Sequence, residues 1–174
     1  MNEANPLKIS HNTISKFAKL FEEQTGISKA FNIQDVFLPL GGKINHCSAK
    51  EYNISKFLTI FSTNNFEINL INGMDKEFQR LLLIQSIGHY ILHSNSGINP
   101  CFISSASNSP TSKEGFLFSL ELLLPNEDFI SIYNKFGVEY TANLFRMPKF
   151  AIIAKQKILN QLNLTKENNE KTNN

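Results

Sequence analysis

Apolar residues recur at helical spacing near the start of the chain. The four that share one helical face are Ile14, Phe17, Leu20 and Phe21. Asn12 is placed to cap the N-terminus of such a helix, and Gly26 is placed to end it. The pattern therefore predicts a first helix within residues 9–28, with this apolar face turned towards the core.

Two short runs rich in Phe and Ile follow further along the chain, on either side of the polar sequence STNN. Alternation of apolar with polar or smaller residues is typical of strands, and the polar interruption is typical of a turn. The alternating apolar positions are Leu58, Ile60, Phe66, Ile68 and Leu70. The two runs predict a β-hairpin, and Asn72-Gly73 predicts the end of its second strand.

The remaining segments predict helices. From Asp75 to about His93 the chain is apolar around most of a helical circumference, as in a buried central helix, and Asp75 is placed to cap it. A polar segment leads to a second apolar helix, KEGFLFSLELLL, which stops before Pro125. NEDFISIYNKFG predicts a helix that ends at Gly137, and a break at RMP precedes the last helix, near Pro148.

Together these elements predict an α+β fold, with a small three-stranded sheet packed beside the central helix and further helices around it. The length of 174 residues suits one domain. We expect a single domain over 1–163, divided into an N-terminal helix and irregular region (1–56), a strand and central-helix core (57–125) and C-terminal helices (126–163). The polar, low-complexity segment 164–174 is predicted to be a disordered tail.

Composition narrows the class of protein. Hydrophobic residues make up 41% and charged residues 18%, as in soluble globular proteins. The net charge of +2 and the lack of a Lys/Arg block argue against a dedicated nucleic-acid binder. Cys47 and Cys101 have no C-x-x-C spacing, which predicts free thiols in a reducing compartment. With no signal peptide or membrane span in the sequence, we expect a cytoplasmic protein.

The segment QSIGHYILH, residues 85–93, has the spacing of the zinc-protease signature H-E-x-x-H on a helix. In that signature two imidazoles hold zinc and the glutamate acts as base towards the metal-bound water. Here Gln85 stands at the first histidine position and Ser86 at the glutamate position, while His89 stands at the second histidine position. An amide is a poor zinc ligand, and serine is no base near neutral pH. These residues predict that hydrolytic chemistry is lost.

Three segments, in this order, resemble the ImmA/IrrE family of metallopeptidases. The first, FEINLINGMDKEFQRLLLIQSIGHYILH, resembles the family's strand followed by a helix reading F-T-x-A-H-E-x-G-H-x-x-L-H, with Arg80 in register. The second, EGFLFSLELLLP, resembles E-x-A-N-x-F-A-x-x-L-L-M-P with one position fewer between the Glu and the Phe. With that one-residue gap after the glutamate, Glu114 falls on the family's zinc-binding glutamate, Phe118 on its Phe and Pro125 on its Pro. The third, VEYTANLFRMPKFAIIAKQKIL, resembles the C-terminal helices. The resemblance covers about residues 57–162.

The resemblance implies a zincin-like ImmA/IrrE fold, whose members cleave or control repressor proteins, often in mobile elements. Of the family's metal and catalytic residues, His89 and Glu114 are present, and Gly115 and Phe116 replace the Ala-Asn after the ligand glutamate. We therefore expect a degenerate member that is catalytically inactive and needs no cofactor. Its function would be to bind a protein, for which a helix-turn-helix repressor is the candidate.

For the site itself, the resemblance implies that Gln85 and Ser86 are vestigial motif positions. We expect His89 and Glu114 to form a buried His–carboxylate pair, with Gln85 and Ser86 completing a hydrogen-bonded cluster. His93 is expected to end the helix, where a histidine interacts favourably with the helix dipole.

Two alternatives remain open. His89 and His93 repeat the histidine spacing, and with Glu114 they could bind zinc in a shifted site of an active endopeptidase, although Tyr90 then occupies the position of the base. His46 or Cys47 could add a ligand only if the fold brought them across.

The second alternative is a DNA-binding regulator that uses the C-terminal helix pair. Its last helix carries Lys149, Lys155 and Lys157 and has no Arg for bidentate reading of bases.

Overall fold

The structure is a computed structural model that describes residues 9–27, 37–52, 58–62, 65–93 and 110–172, with the backbone alone for 52, 58–62 and 164–172. Its elements in chain order are α1 (His11–Thr25), β1 (Gly42–Cys47), α2 (Ala49–Tyr52), β2 (Leu58–Ser62), β3 (Asn65–Ile71), α3 (Lys76–His93), α4 (Pro110–Leu123), α5 (Asn126–Phe145) and α6 (Lys149–Thr172). The predicted helix-rich α+β class is confirmed. No helix in these ranges is long and apolar enough to cross a membrane.

The chain divides into two compact units, Met1–Leu123 and Leu124–Asn174. The sequence predicted one domain over 1–163, with an internal division after residue 125. The first unit holds the sheet and the helices α1 to α4, and the second holds α5 and α6.

The sheet has the strand order β1-β3-β2, so β3 lies in the middle. β1 runs parallel to β3, and β2 runs antiparallel to it. Phe66, Ile68 and Leu70 alternate along β3 and are fully buried, which confirms the predicted pattern there. The side chains of Leu58 and Ile60 and the turn at 63–64 lie outside the described residues.

α1 forms where predicted, with a different cap. Ser10 is the N-cap, and its hydroxyl accepts a hydrogen bond from the backbone N–H of Thr13, so the assignment of the cap to Asn12 was wrong. Ser and Asn are equally good caps, which is why composition alone does not separate two candidates two residues apart. Gly26 ends the helix in the left-handed conformation with φ 61°, as predicted.

The buried face of α1 is narrower than predicted. Ile14, Ala18 and Phe21 are buried, whereas Phe17 is 44% exposed and Leu20 is 53% exposed. At about 100° per residue, Leu20 lies about 120° around the helix axis from Ile14, so the two side chains cannot face the same neighbour. The small side chain of Ala18 completes the buried face.

α3 is the central helix that the sequence predicts. Asp75 caps it, because its Oδ1 accepts from the N–H groups of Glu77 (3.0 Å) and Phe78 (3.1 Å). Every residue from Leu81 to Tyr90 is buried. α3 packs closely on α4, since a Cβ at Gly88 would lie 2.8 Å from Cδ1 of Phe118.

The second unit is an interrupted helix followed by a long one. Gly137 breaks α5 with φ 75° and ψ −174°, at the position where the sequence predicted a helix end, and Arg146 ends α5 in the left-handed region. α6 continues to Thr172, through most of the 164–174 segment for which composition predicts disorder. Extending a helix that already exists is easier than starting one, because the cost of nucleation is met upstream.

Candidate functional site

The candidate site lies where the C-terminal half of α3 meets the N-terminal half of α4. His89 is fully buried there and lies against the backbone of α4 at Gly115. A Cβ at residue 115 would be 2.7 Å from Cδ2 and 2.8 Å from Nε2 of the imidazole, distances at which something must shift. The absence of a side chain at Gly115 therefore makes room for His89, and an alanine at this position would not fit without movement.

His93 lies beside the carboxylate of Glu114. The two side chains are 0% and 9% exposed, and His93 Nε2 is 3.2 Å from Glu114 Oε2. His93 was expected to cap its helix end, and the expected partner of the carboxylate was His89. His93 is instead a buried residue that faces the second helix, because α4 covers the end of α3 that an isolated helix would expose to water.

Burial sets the protonation of both histidines. It lowers the pKa of His89 to about 3, with a smaller contribution in the same direction from His93. Burial also lowers the pKa of His93, and the two ring centroids are 5.8 Å apart. Both imidazoles are consequently neutral near pH 7, because a low-dielectric environment disfavours their charged forms.

Glu114 has a second contact, with the segment that precedes α1. Its Oε1 accepts a hydrogen bond of 2.7 Å from the backbone N–H of Ile9, while its Oε2 faces His93. Burial raises the pKa of Glu114, and the N–H of Ile9 acts in the opposite direction. This carboxyl group therefore joins the start of α1 to the end of α3. Sequence reasoning missed Ile9, since a backbone donor far away in the chain has no side-chain signature.

Gln85 and Ser86, the two residues at the motif positions, make contacts of a different kind. Gln85 is 5% exposed and Ser86 is fully buried. Gln85 Nε2 donates to the backbone oxygen of Ser112 at 3.4 Å, and Ser86 Oγ donates to the backbone oxygen of Leu82 at 2.8 Å. The prediction that both would complete a cluster with His89 and Glu114 was wrong. Each side chain instead donates to one main-chain carbonyl.

A second carboxylate of α4 binds α1 about two turns further along. Glu121 Oε1 lies 3.0 Å from Nε2 of His11, and its Oε2 accepts from the hydroxyl of Ser15 at 3.1 Å. The Glu121 side chain is 6% exposed. None of these residues was predicted. His11 and Ser15 are one helical turn apart, and that spacing was the available signal.

The donors fit a metal ion only in part. The 3.2 Å between His93 Nε2 and Glu114 Oε2 is near the roughly 3.3 Å that separates two ligands of a tetrahedral zinc. The Nε2 of His89, however, faces the Gly115 backbone. Among the residues that the structure describes, no group of three or more His, Cys, Asp or Glu is placed to hold a metal ion. His46 and Cys47 lie on β1, where the Cys47 thiol donates to the Leu70 carbonyl.

The C-terminal lysines do not form one basic face. Lys155 is fully buried, so it is not available to the phosphates of a duplex. Lys149 forms an ion pair with Glu139, and Lys157 is exposed. The alternative of a DNA-binding regulator therefore loses Lys155 as a phosphate contact, because its position on α6 falls on the buried side of that helix.

Comparison of the chain with protein-family models and with curated proteins finds no match.

Proposed function

We propose that this chain is a catalytically inactive, metallopeptidase-like protein of the ImmA/IrrE type that acts by binding another protein. The observation that carries the proposal is the state of the two motif positions. Gln85 and Ser86 are buried and donate to backbone carbonyls, so neither side chain is presented to a substrate or to a metal-bound water. The expected partner is a helix-turn-helix repressor, in the regulation of a mobile element.

The chemistry of the remaining groups supports the absence of peptidase activity. Hydrolysis needs a base of suitable pKa within reach of the attacking water. Ser86 is no such base, and its hydroxyl proton is directed to Leu82 O. His89 is neutral and buried against Gly115, away from solvent. The titratable groups His89, His93 and Glu114 are thus buried rather than presented at the surface.

Mixing the purified chain with candidate helix-turn-helix repressors tests the proposal. We expect a stable complex on size-exclusion chromatography, with the repressor intact after prolonged incubation with added zinc. Zinc-dependent cleavage of the repressor that a chelator stops would overturn the inactive assignment. Failure of every candidate to form a complex would overturn the assignment of the partner.

Restoring the motif tests the scaffold separately. The variant Gln85→His/Ser86→Glu supplies the missing ligand and base, and we expect it to bind about one zinc ion per chain. Gln85→Ala/Ser86→Ala is the matched control, which disrupts the same two positions without adding a ligand. Equal zinc content in the two variants would contradict the ImmA/IrrE-like scaffold.

The second candidate function is a zinc endopeptidase with the shifted site His89, His93 and Glu114. It is favoured by a single observation, the 3.2 Å between His93 Nε2 and Glu114 Oε2. It requires His89 to turn away from Gly115 to become the third ligand. This candidate predicts that His93→Ala abolishes both zinc binding and cleavage.

A further inference from the structure

The start of α1 is held on α4 by two buried carboxylates. We refer to residues 9–15 as the N-terminal strap. Ile9 N–H donates to Glu114 Oε1 at 2.7 Å, Ser15 donates to Glu121 Oε2 at 3.1 Å, and His11 lies 3.0 Å from Glu121 Oε1. These contacts attach the strap at both ends, about two turns of α4 apart.

The first of these attachments is made directly to the candidate site. One oxygen of Glu114 binds the strap, and the other lies 3.2 Å from His93. His93 and His89 are 1% and 0% exposed. The strap is therefore bonded to the carboxyl group that lies beside His93. The strap itself is partly exposed, since Ile9 is half-buried and Ser10 is exposed.

The attachment at Ile9 differs from ordinary helix packing. It is a hydrogen bond from the main chain to a buried carboxylate, which is stronger than a bond between neutral groups. Further along the chain, α1 is held by its apolar face, in which Ile14, Ala18 and Phe21 are buried. Only the part of the strap before Ile14 needs to open. Ile14 and the rest of the apolar face can stay in place, because local opening costs less than global unfolding.

We propose that the N-terminal strap is a latch that closes the His89–His93–Glu114 cluster, and that breaking the Ile9–Glu114 hydrogen bond opens the cluster to small molecules. The inference does not rest on the proposed function, because it concerns access to the cluster whether or not a partner binds. In this proposal Ile9 and Glu121 hold the N-terminal strap in place.

Modification of histidines by diethyl pyrocarbonate tests the latch in the full-length protein. The reagent acylates neutral imidazole. Since burial keeps both histidines neutral near pH 7, their rates report access to the reagent. His46, exposed on β1, serves as the internal reference in each sample. The measured quantity is the rate at His93 and His89 relative to the rate at His46, followed by mass spectrometry.

The decisive pair of variants at residue 9 differs in whether the backbone N–H is present. Ile9→Pro removes the N–H donor, and Ile9→Ala keeps the donor while removing the side chain. We expect the relative rate at His93 to rise roughly tenfold in Ile9→Pro, as for loss of a hydrogen bond to a charged group, and to stay at the wild-type value in Ile9→Ala. Equal rates in all three proteins would overturn the latch, as would an equal rise in both variants.

A second variant acts at the other end of the strap. Ser15→Ala removes a donor to Glu121 without touching the cluster, and we expect a smaller rise at His93. Its control is Lys19→Ala, which removes the exposed Lys19–Glu23 pair of α1 beyond the strap. Should Ile9→Pro unfold the protein, a rate in Ser15→Ala no higher than in Lys19→Ala would overturn the proposal.

Discussion

The two ends of the candidate site carry side chains of different chemistry. At one end, Gln85 and Ser86 are neutral side chains that donate to backbone carbonyls. At the other end, His89, His93 and Glu114 are titratable groups buried within a short distance of one another. The first pair behaves as ordinary packing. The second retains groups whose protonation depends on burial, so pH and substitution should affect the two ends unequally.

The difference indicates at which end of the α3–α4 contact the burial of polar groups costs free energy. A hydroxyl bonded to the carbonyl one turn earlier is a common local arrangement in helices and costs little. Two buried imidazoles and a buried carboxyl group are costly unless they stay neutral or share a proton. The free energy of unfolding should therefore be sensitive to the histidine end and insensitive to the Gln85–Ser86 end.

The largest expected effect is that of acid on the histidine end. The pKa of His89 is about 3 in the folded protein, against a usual value of 6.5. Its contribution to stability is complete above pH 6.5 and is lost as the pH falls towards 3. The loss reaches at most about 1.4 kcal/mol per pH unit and is on the order of 4–5 kcal/mol in total. The raised pKa of Glu114 has the opposite effect on the free energy of unfolding. Its contribution to stability is present at low pH and is lost as the pH rises through the pKa that Glu114 has in the folded protein.

Urea unfolding between pH 7 and pH 4 measures this slope. His89→Gln should reduce it, because glutamine does not titrate. The exposed His46→Gln is the matched control and should leave the slope unchanged. A slope as steep in His89→Gln as in the wild type would contradict the assignment of acid sensitivity to this residue.

The next largest effect should come from His93→Ala. It leaves the buried Oε2 of Glu114 without the imidazole 3.2 Å away, and we expect a loss of about 2–4 kcal/mol in the free energy of unfolding. His46→Ala, at an exposed position on β1, should change stability by less than about 0.5 kcal/mol. Equal losses in both variants would show that the His93–Glu114 contact is not specific.

Gly115→Ala should cost about 1–2 kcal/mol. The new methyl group would lie within 2.8 Å of His89 Nε2, and overpacking outweighs the better helix propensity of alanine. The sharper measurement is a double-mutant cycle in thermal or urea unfolding. In a His89→Ala background the same change should become stabilising by about 0.5–1 kcal/mol. Identical effects in both backgrounds would mean that the ring does not determine the need for glycine.

The smallest effect should be that of Ser86→Ala, within about 0.5 kcal/mol of the wild type. Its hydroxyl binds a carbonyl of its own helix, and alanine is the better helix former. A loss above about 2 kcal/mol in urea unfolding would place Ser86 in a network with the histidine end and remove the contrast between the two ends.

Sequence alone predicts the parts of this molecule that depend on local rules. The Asp75 cap, the alternation along β3 and the turn at Gly26 all follow from neighbours within a few residues. The buried circumference of α3 also follows from its periodicity. The C-terminal bound of α6 could not be predicted in this way. The composition of residues 164–174 describes that segment in isolation, whereas the helix enters it from the preceding residues.

The site was predictable only as a set of residues. Spacing brings His89, His93 and Glu114 forward as candidates, but it cannot assign which histidine faces the carboxylate. That depends on how α4 crosses α3, which Gly88 and Gly115 determine through the close contacts that they allow. The hydrogen bond from Ile9 joins residues 105 positions apart, and no local pattern encodes it.

Metal content tests the central claim most directly. The full-length protein should be purified without chelators or a metal-affinity tag, and its zinc measured together with its melting temperature with and without added zinc. An inactive site predicts zinc far below one equivalent and an unchanged melting temperature, since a ligand stabilises only what it binds. About one zinc per chain, lost in His93→Ala and accompanied by a raised melting temperature, would contradict the claim and establish the shifted site.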